Sequence, residues 1–294
     1  MEGASNPHVA LRGMLLVVFA VGIFAVMDTI AKYLARSYPV SGVVWARYAA
    51  NLLILLAFLA VRGDLGRLRT ARPGLQTMRG LLLAGASLFY FTSLTVLPLA
   101  EAAAIGFVMP LFLALLAVPM LGERMDGARL AAVLVGLAGA MVIVRPGAAV
   151  FTPYALLPIG MALCNALYQI LTRKVAGIEH PLTSLVWSAL VGTLLLSFTL
   201  PFAWVTPTNP WHWVLLAVIG LLASVGHFVL IRAYDYASAT GIAPLFYTQL
   251  VWVMLLGWLV FGDFPDGWSL LGIGIIVASG IYLVGRQRLT IRRS

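Results

Sequence analysis

The sequence predicts an all-α polytopic membrane protein: ten transmembrane helices arranged as two inverted five-helix repeats. Three observations predict it. Of 294 residues, 62% are hydrophobic and only 10% charged. The apolar residues gather into ten long segments. A Gly-acid turn recurs after 140 residues, between Gly122 and Gly262.

A soluble protein of this size carries about 25% charged residues, so this chain cannot cover a water-facing surface. Lipid removes that need but leaves backbone amides unsatisfied, and helices satisfy their own. A β-barrel would instead show weakly alternating segments of about ten residues. The net charge of +9 does not call for nucleic acid, because cytoplasmic loops of membrane proteins are enriched in Lys and Arg. The single cysteine, Cys164, excludes an internal disulfide or a cysteine metal cluster.

The ten segments run roughly over 13–34, 42–61, 79–97, 101–121, 128–145, 153–174, 182–204, 212–233, 240–261 and 267–285. Each is about 18–24 residues, enough to cross a hydrocarbon core of about 30 Å. The first run follows Arg12 and lacks a small-residue cleavage pattern, so it reads as a retained helix rather than a signal peptide. Turns such as Ser37-Tyr38-Pro39 and Arg145-Pro146-Gly147 separate the segments. With the N-terminus inside, only Lys32, Arg36, Arg47 and Arg145 of the 19 Lys and Arg residues fall on the outer side. That bias places both termini, and the loop from Arg62 to Arg79, in the cytoplasm of an inner (plasma) membrane protein.

The repeat is the strongest organisational signal. Gly122-Glu123-Arg124-Met125-Asp126-Gly127 recurs as Gly262-Asp263-Phe264-Pro265-Asp266-Gly267, and Val43-Val44-Trp45 recurs as Leu185-Val186-Trp187 after 142 residues. Two halves follow, 1–148 and 149–294. Five is an odd number of crossings, so the second half enters from the opposite side. That gives a pseudo-two-fold axis in the membrane plane, with a substrate site near the midplane.

This pattern resembles the drug/metabolite transporter superfamily and, within it, the EamA-type exporters. The stretch Leu94-Thr95-Val96-Leu97-Pro98-Leu99-Ala100-Glu101-Ala102-Ala103-Ala104, then Pro110, Gly122-Glu123-Arg124 and Gly136, carries the resemblance, as does Arg47. The second half departs from it: Asp263 replaces the usual Glu, and Ala189 stands where a counterpart of Arg47 would be. Within the group the chain looks most like bacterial exporters of aromatic and other neutral amino acids, the YddG type. The resemblance implies a central cavity lined mainly by the third, fourth, eighth and ninth helices. It also implies that the fifth and tenth stand aside, with Gly136, Ala138, Gly139, Gly272, Gly274 and Gly280 letting helices approach closely.

Ionisable groups inside spans are costly, by about 2.5–3.5 kcal/mol each on insertion scales, and so are functional candidates. Asp28 and Lys32 share a face of the first helix, and Arg47 lies on the second. They form a coupling pair, Asp28–Arg47 or Asp28–Lys32, that breaks and forms during alternation, or a proton site, or else a static ion pair joining two helices. Glu101 reads as a solvated boundary residue. His227 either couples protons or donates one hydrogen bond within the bundle. Asn165, Tyr168, Tyr247 and Gln249 offer polar handles, and Tyr90 and Phe107 offer aromatic surface, for a small-molecule site or for ordinary packing. Pro110 and Pro244 are hinge candidates or packing prolines.

These features favour a carrier that exports small neutral or zwitterionic solutes, including aromatic amino acids, by alternating access. A facilitator, importer or multidrug carrier of the same fold is the alternative. One His, one Cys and one Asp on three different helices do not make an intramembrane enzyme, and no ring of repeated polar residues suggests a channel. The scarcity of inward cations disfavours phosphorylated solutes. The expected partners are a small-molecule substrate and the lipid bilayer, with no cofactor and no metal. The sequence gives no oligomeric state, and a monomer suffices.

Overall fold

A computed structural model describes residues 7–122, 127–145, 152–175, 178–234, 236 and 243–291. Every regular element among the described residues is helical. The helices are α1 (Pro7–Leu34), α2 (Val40–Val61), α3 (Pro73–Ser93), α4 (Leu99–Gly106), α5 (Met109–Leu121) and α6 (Gly127–Ile143). They continue as α7 (Leu156–Val175), α8 (Pro181–Ser197), α9 (Leu200–Ala203), α10 (Pro210–Tyr234), α11 (Thr248–Leu256) and α12 (Gly267–Ile291). A 3₁₀ turn (Ala243–Tyr247) leads into α11, and a π-helical stretch (Gly257–Phe261) continues it.

Proline and glycine set the boundaries. Pro39 and Pro98 immediately precede α2 and α4, and Pro73 and Pro181 open α3 and α8, where a missing N–H costs nothing. Gly122 after α5 and Gly262 after the π stretch both adopt left-handed φ, 70° and 75°. A side chain with a Cβ is strained there, so the repeated turn needs glycine at this place in both halves.

Among the described residues, five helical stretches are long and apolar enough to cross a membrane: Leu11–Leu34, Val40–Val61, Leu99–Met120, Pro153–Val175 and Pro210–Leu230. Shorter apolar helices cover Leu130–Ile143, Pro181–Ser197, Leu245–Phe261 and Gly267–Tyr282. The third segment begins earlier than expected. Pro73 starts α3, and the chain leaves the helix after Ser93, ahead of Pro98, so Arg79 lies inside the helix and not in a loop. The fourth segment is broken at Phe107 and Val108.

The packing alternates between halves. Around the bundle, α1 contacts α10, α10 contacts α2, α2 contacts α8, α8 contacts α3, and α3 contacts α7. Then α7 meets α4 and α5, α4 meets α11, and α11 returns to α1. Helices α1, α2, α3 and α4 from the first half therefore each have second-half helices on both flanks. Helices α6 and α12 pack chiefly on each other. A Cβ on Gly139 would come within 3.0 Å of the Gly272 carbonyl oxygen, and one on Gly272 within 2.6 Å of that of Gly139. Gly136 sits against Leu111 and Ser279, and Gly280 against the Tyr247 ring. Gly274 faces open space and Ala138 is exposed, so those two take no part in close packing.

Candidate functional site

Two opposite charges sit at the junction of α1, α2, α3, α10 and α11. Asp28 is 4% exposed and Arg47 7%. Gln249 reaches from α11 in the other half and donates from Nε2 to Asp28 Oδ2 at 3.4 Å. The Tyr90 hydroxyl adjoins the same carboxylate. Arg47 donates from Nη2 to Ser87 Oγ at 2.6 Å. Its guanidinium lies 4.4 Å from the centre of the Tyr48 ring and 5.6 Å from that of Phe91. Ser87 in turn donates to the Leu83 carbonyl at 2.8 Å and meets the Tyr48 hydroxyl at 3.0 Å. The Nε–H of Arg47 is buried without an acceptor. His227 packs its ring 5.0 Å from that of Phe24, within the field of Arg47. The structure thus brings together Asp28, Arg47, Tyr90, His227 and Gln249 of the residues expected from the sequence.

The expected pairings differ. Asp28 makes no direct ion pair with Arg47 and none with Lys32 among the described residues. Lys32 points one turn further along α1, where it donates to the Leu97 carbonyl at 2.9 Å and to Asp263 Oδ2 at 3.1 Å. Its ammonium also lies 4.9 Å from the Phe261 ring centre, and the Arg36 guanidinium lies 4.7 Å from the same ring. A buried ammonium needs a carboxylate and further acceptors together, and the turn after Phe261 supplies what Asp28 does not. Glu101 is a second correction. It is 6% exposed rather than solvated, with Oε2 lacking a partner, because the first turn of α4 faces inward beside Lys32 and Asp263.

Tyr168 belongs to a second cluster, built around Arg79 and neighbouring Tyr48. Arg79, almost fully buried on α3, donates from Nε to Thr172 Oγ1 at 3.0 Å, from Nη2 to the Tyr168 hydroxyl at 3.2 Å, and from Nη1 to Gln76 Oε1. Gln76 passes the chain on to Ser184 of α8 at 3.0 Å. The sequence reading missed Arg79 by assigning it to a loop, although Pro73 six residues earlier was a signal for a helix start.

The remaining candidates are dispersed. Phe107 and Tyr247 pair with each other, ring centres 5.2 Å apart, and the Tyr247 ring abuts Gly280. Asn165 is half-buried on α7. Pro110 stands in the first turn of α5, just past the break in the segment, and Pro244 opens the 3₁₀ turn before α11. Tyr90 and Tyr247 belong to the main apolar core, and Phe107 packs against it. A recess of about 370 Å³ at the start of α1 is lined by Arg12, Leu15, Leu16, Phe19 and Tyr236. Among the described residues, no cluster of His, Cys, Asp and Glu could hold a metal.

The EamA-like transporter family matches residues 11–145 and again 152–286. The chain belongs to that family. EamA-like proteins are transporters and not enzymes, and this chain is a multi-pass membrane protein with two EamA repeats. It is 30% identical over 269 residues to an S-adenosylmethionine uptake transporter of Rickettsia conorii, covering 90% of each chain. A riboflavin transporter of Vibrio cholerae is 30% identical over 285 residues, 95% of each chain. The pseudopaline exporter CntI of Pseudomonas aeruginosa is 28% identical over 277 residues, 92% of this chain and 95% of that one. A crystal structure of a protein 20% identical superposes with a TM-score of 0.66 over 97% of this chain and 99% of the other, a likeness of the EamA fold.

Proposed function

We propose that this EamA-type carrier exports small neutral or zwitterionic organic solutes, aromatic amino acids among them, across the inner membrane by alternating access. One observation carries the reading: an opposite-charge couple, Asp28 and Arg47, is buried where the two halves meet, without a direct ion pair between them, and aromatic rings flank Arg47. Neutral donors compensate a buried multiple charge poorly, and the other buried cations, Lys32 and Arg79, are already engaged. A phosphorylated solute is therefore disfavoured. An aromatic side chain gains about 25 cal/mol per Å² of apolar area buried against such walls.

Alternating access suits the arrangement. Ten spans divide into repeats 1–148 and 149–294, of inverted orientation, with both termini cytoplasmic. Asn165, Phe107, Tyr168 and Tyr247 come to line the path only when the halves part, with the breaks near Pro110 and Pro244 absorbing the movement. Relatives named for uptake and for export both occur, so import, or carriage of other metabolites or drugs, is the second reading.

The test is exchange in proteoliposomes of phenylalanine, methionine and threonine against a triose phosphate and a cationic dye. Preference for the phosphate overturns the proposal. Preference for the dye leaves the fold and moves the function to multidrug export. After Cys164→Ser, an impermeant thiol reagent applied to intact cells should leave cysteines placed at 64–71 unlabelled; labelling there refutes the orientation.

A further inference from the structure

We propose that Asp28 and Arg47 are the two ends of a zwitterion clamp: Asp28 takes the ammonium of an α-amino acid and Arg47 its carboxylate. This rests on the proposed function and names the groups that read the substrate.

Hydrogen-bond accounting leads there. Five charged side chains are buried among the described residues: Asp28, Lys32, Arg47, Arg79 and Glu101. Arg79 is matched by Thr172, Tyr168 and Gln76, and Lys32 by Asp263 and the Leu97 carbonyl. Glu101 lies beside that same Lys32. Asp28 and Arg47 are left, and they do not neutralise each other by contact. A carboxylate has about four acceptor positions. Asp28 uses only part of them, for a long amide contact from Gln249 and the neighbouring Tyr90 hydroxyl, both neutral. A guanidinium has five N–H donors, and the buried Nε–H of Arg47 has no acceptor.

Arg47 acts on Asp28 through space, but buried charges held apart without direct contact are expensive to keep. A bound molecule carrying one ammonium and one carboxylate would satisfy both in one step. A simple amine or acid would satisfy one and leave the other bare. The surroundings are prepared for such a ligand. Tyr48 and Phe91 hold the guanidinium plane, and Ser87 fixes Nη2. On the Asp28 side, Gln249 donates the one side-chain hydrogen bond from the second half among the described residues, and it is long. Movement of α11 releases it without breaking a strong bond, and frees the carboxylate for the ligand. Phe24 and His227, packed together on α1 and α10, offer aromatic surface for a side chain.

The experiment compares phenylalanine with phenethylamine, which lacks the carboxylate, and 3-phenylpropionate, which lacks the ammonium. In wild-type proteoliposomes, each one-charged analogue should compete with labelled phenylalanine roughly tenfold more weakly than unlabelled phenylalanine, or worse, because a site built for a polar group rejects the analogue lacking it. Asp28→Asn should abolish phenylalanine exchange and shift relative preference toward 3-phenylpropionate. Arg47→Gln should shift it toward phenethylamine. If phenylalanine is carried but either analogue competes equally well, or both variants keep the wild-type ranking, the clamp is overturned while the carrier function stands. If the wild type carries no amino acid at all, the functional reading falls and the clamp with it. The competition arm needs only wild-type protein, so misfolding of a variant does not rescue the proposal.

Discussion

Trp45 and Trp187, separated by 142 residues, each send an indole N–H into the opposite half of the molecule. Trp45 on α2 donates to Ser197 Oγ at the end of α8, at 2.9 Å. Trp187 on α8 donates to the Leu68 carbonyl in the connection after α2, at 3.0 Å. The two contacts lie at opposite ends of the α2–α8 pair. They form reciprocal ties, of the kind an inverted duplication produces when one residue keeps its role in both copies.

Replacing either tryptophan with phenylalanine should lower thermal stability by the net value of one hydrogen bond plus lost ring contact, about 1–2 kcal/mol. The ties are far apart, so the double variant should lose the sum. Thermal unfolding in detergent measures this. A double variant no worse than either single one would mean that the two contacts do not act as separate braces.

Asp263→Asn should cost more than Lys32→Met. Removing the acid takes the direct ion-pair partner from an ammonium whose side chain is 7% exposed, leaving it the Leu97 carbonyl and the nearby Glu101, whereas removing the lysine leaves an Asp263 carboxylate that is 36% exposed and can reach solvent. Breaking a fully buried pair costs about 3–5 kcal/mol; with one partner partly solvated, about 2 kcal/mol is expected for Asp263→Asn. The same unfolding assay checks the order, and equal losses would mean Lys32 is held by the Leu97 carbonyl alone.

Arg79→Lys keeps the charge but cannot reach Thr172, Tyr168 and Gln76 at once, because an ammonium lacks the planar fork. We expect a loss of about 2 kcal/mol in stability. Tyr168→Phe, which removes one acceptor, should lose about half that. Intact stability in Arg79→Lys would show that charge, and not geometry, holds α3 to α7.

The α6–α12 end should show a simple acid response. Asp266 caps α12 by accepting the Ser269 backbone N–H at 2.7 Å and pairs with Arg145 at 2.6 Å. The Ser269 N–H and the Arg145 guanidinium hold its carboxyl down from an ordinary 3.8 to about 2. A depressed carboxylate contributes stability above its unfolded value and loses it as pH falls through the folded one. The gap in melting temperature between wild type and Asp266→Asn should therefore stay level from pH 8 to about pH 5 and close between about pH 4 and 2. A gap that opens toward acid would reverse the assignment.

The fold was legible because membrane spans announce themselves by apolar length and because duplication left its turns in view. Gly122 and Gly262 are conspicuous in sequence for the same reason they matter in space: each needs a left-handed backbone. The centre was legible in part. Asp28, Arg47, Tyr90, His227 and Gln249 stood out as polar groups in apolar runs, and they do meet. Their pairing was not legible, since sequence gives depth along a helix but not its rotation. Lys32 and Asp263 are 231 residues apart and meet only through the ring of helices. Glu101 and Arg79 were misread for a related reason. Near a helix end, a charge one turn inside and a charge in water look alike until the facing direction is known.

Ala189 occupies the place in the second half that Arg47 holds in the first, and it is fully buried. A bundle with arginine in both places would offer a carboxylate two berths related by the pseudo-axis, and a bound molecule could turn over between them. With alanine in one, cargo held by Asp28 and Arg47 has a single heading, and its side chain has a single wall to face. Three fixed attachments define a hand. A carrier built on this plan distinguishes mirror images, and a direct comparison of L- and D-phenylalanine counterflow reads that handedness; equal rates would mean the second berth is not needed to blur it.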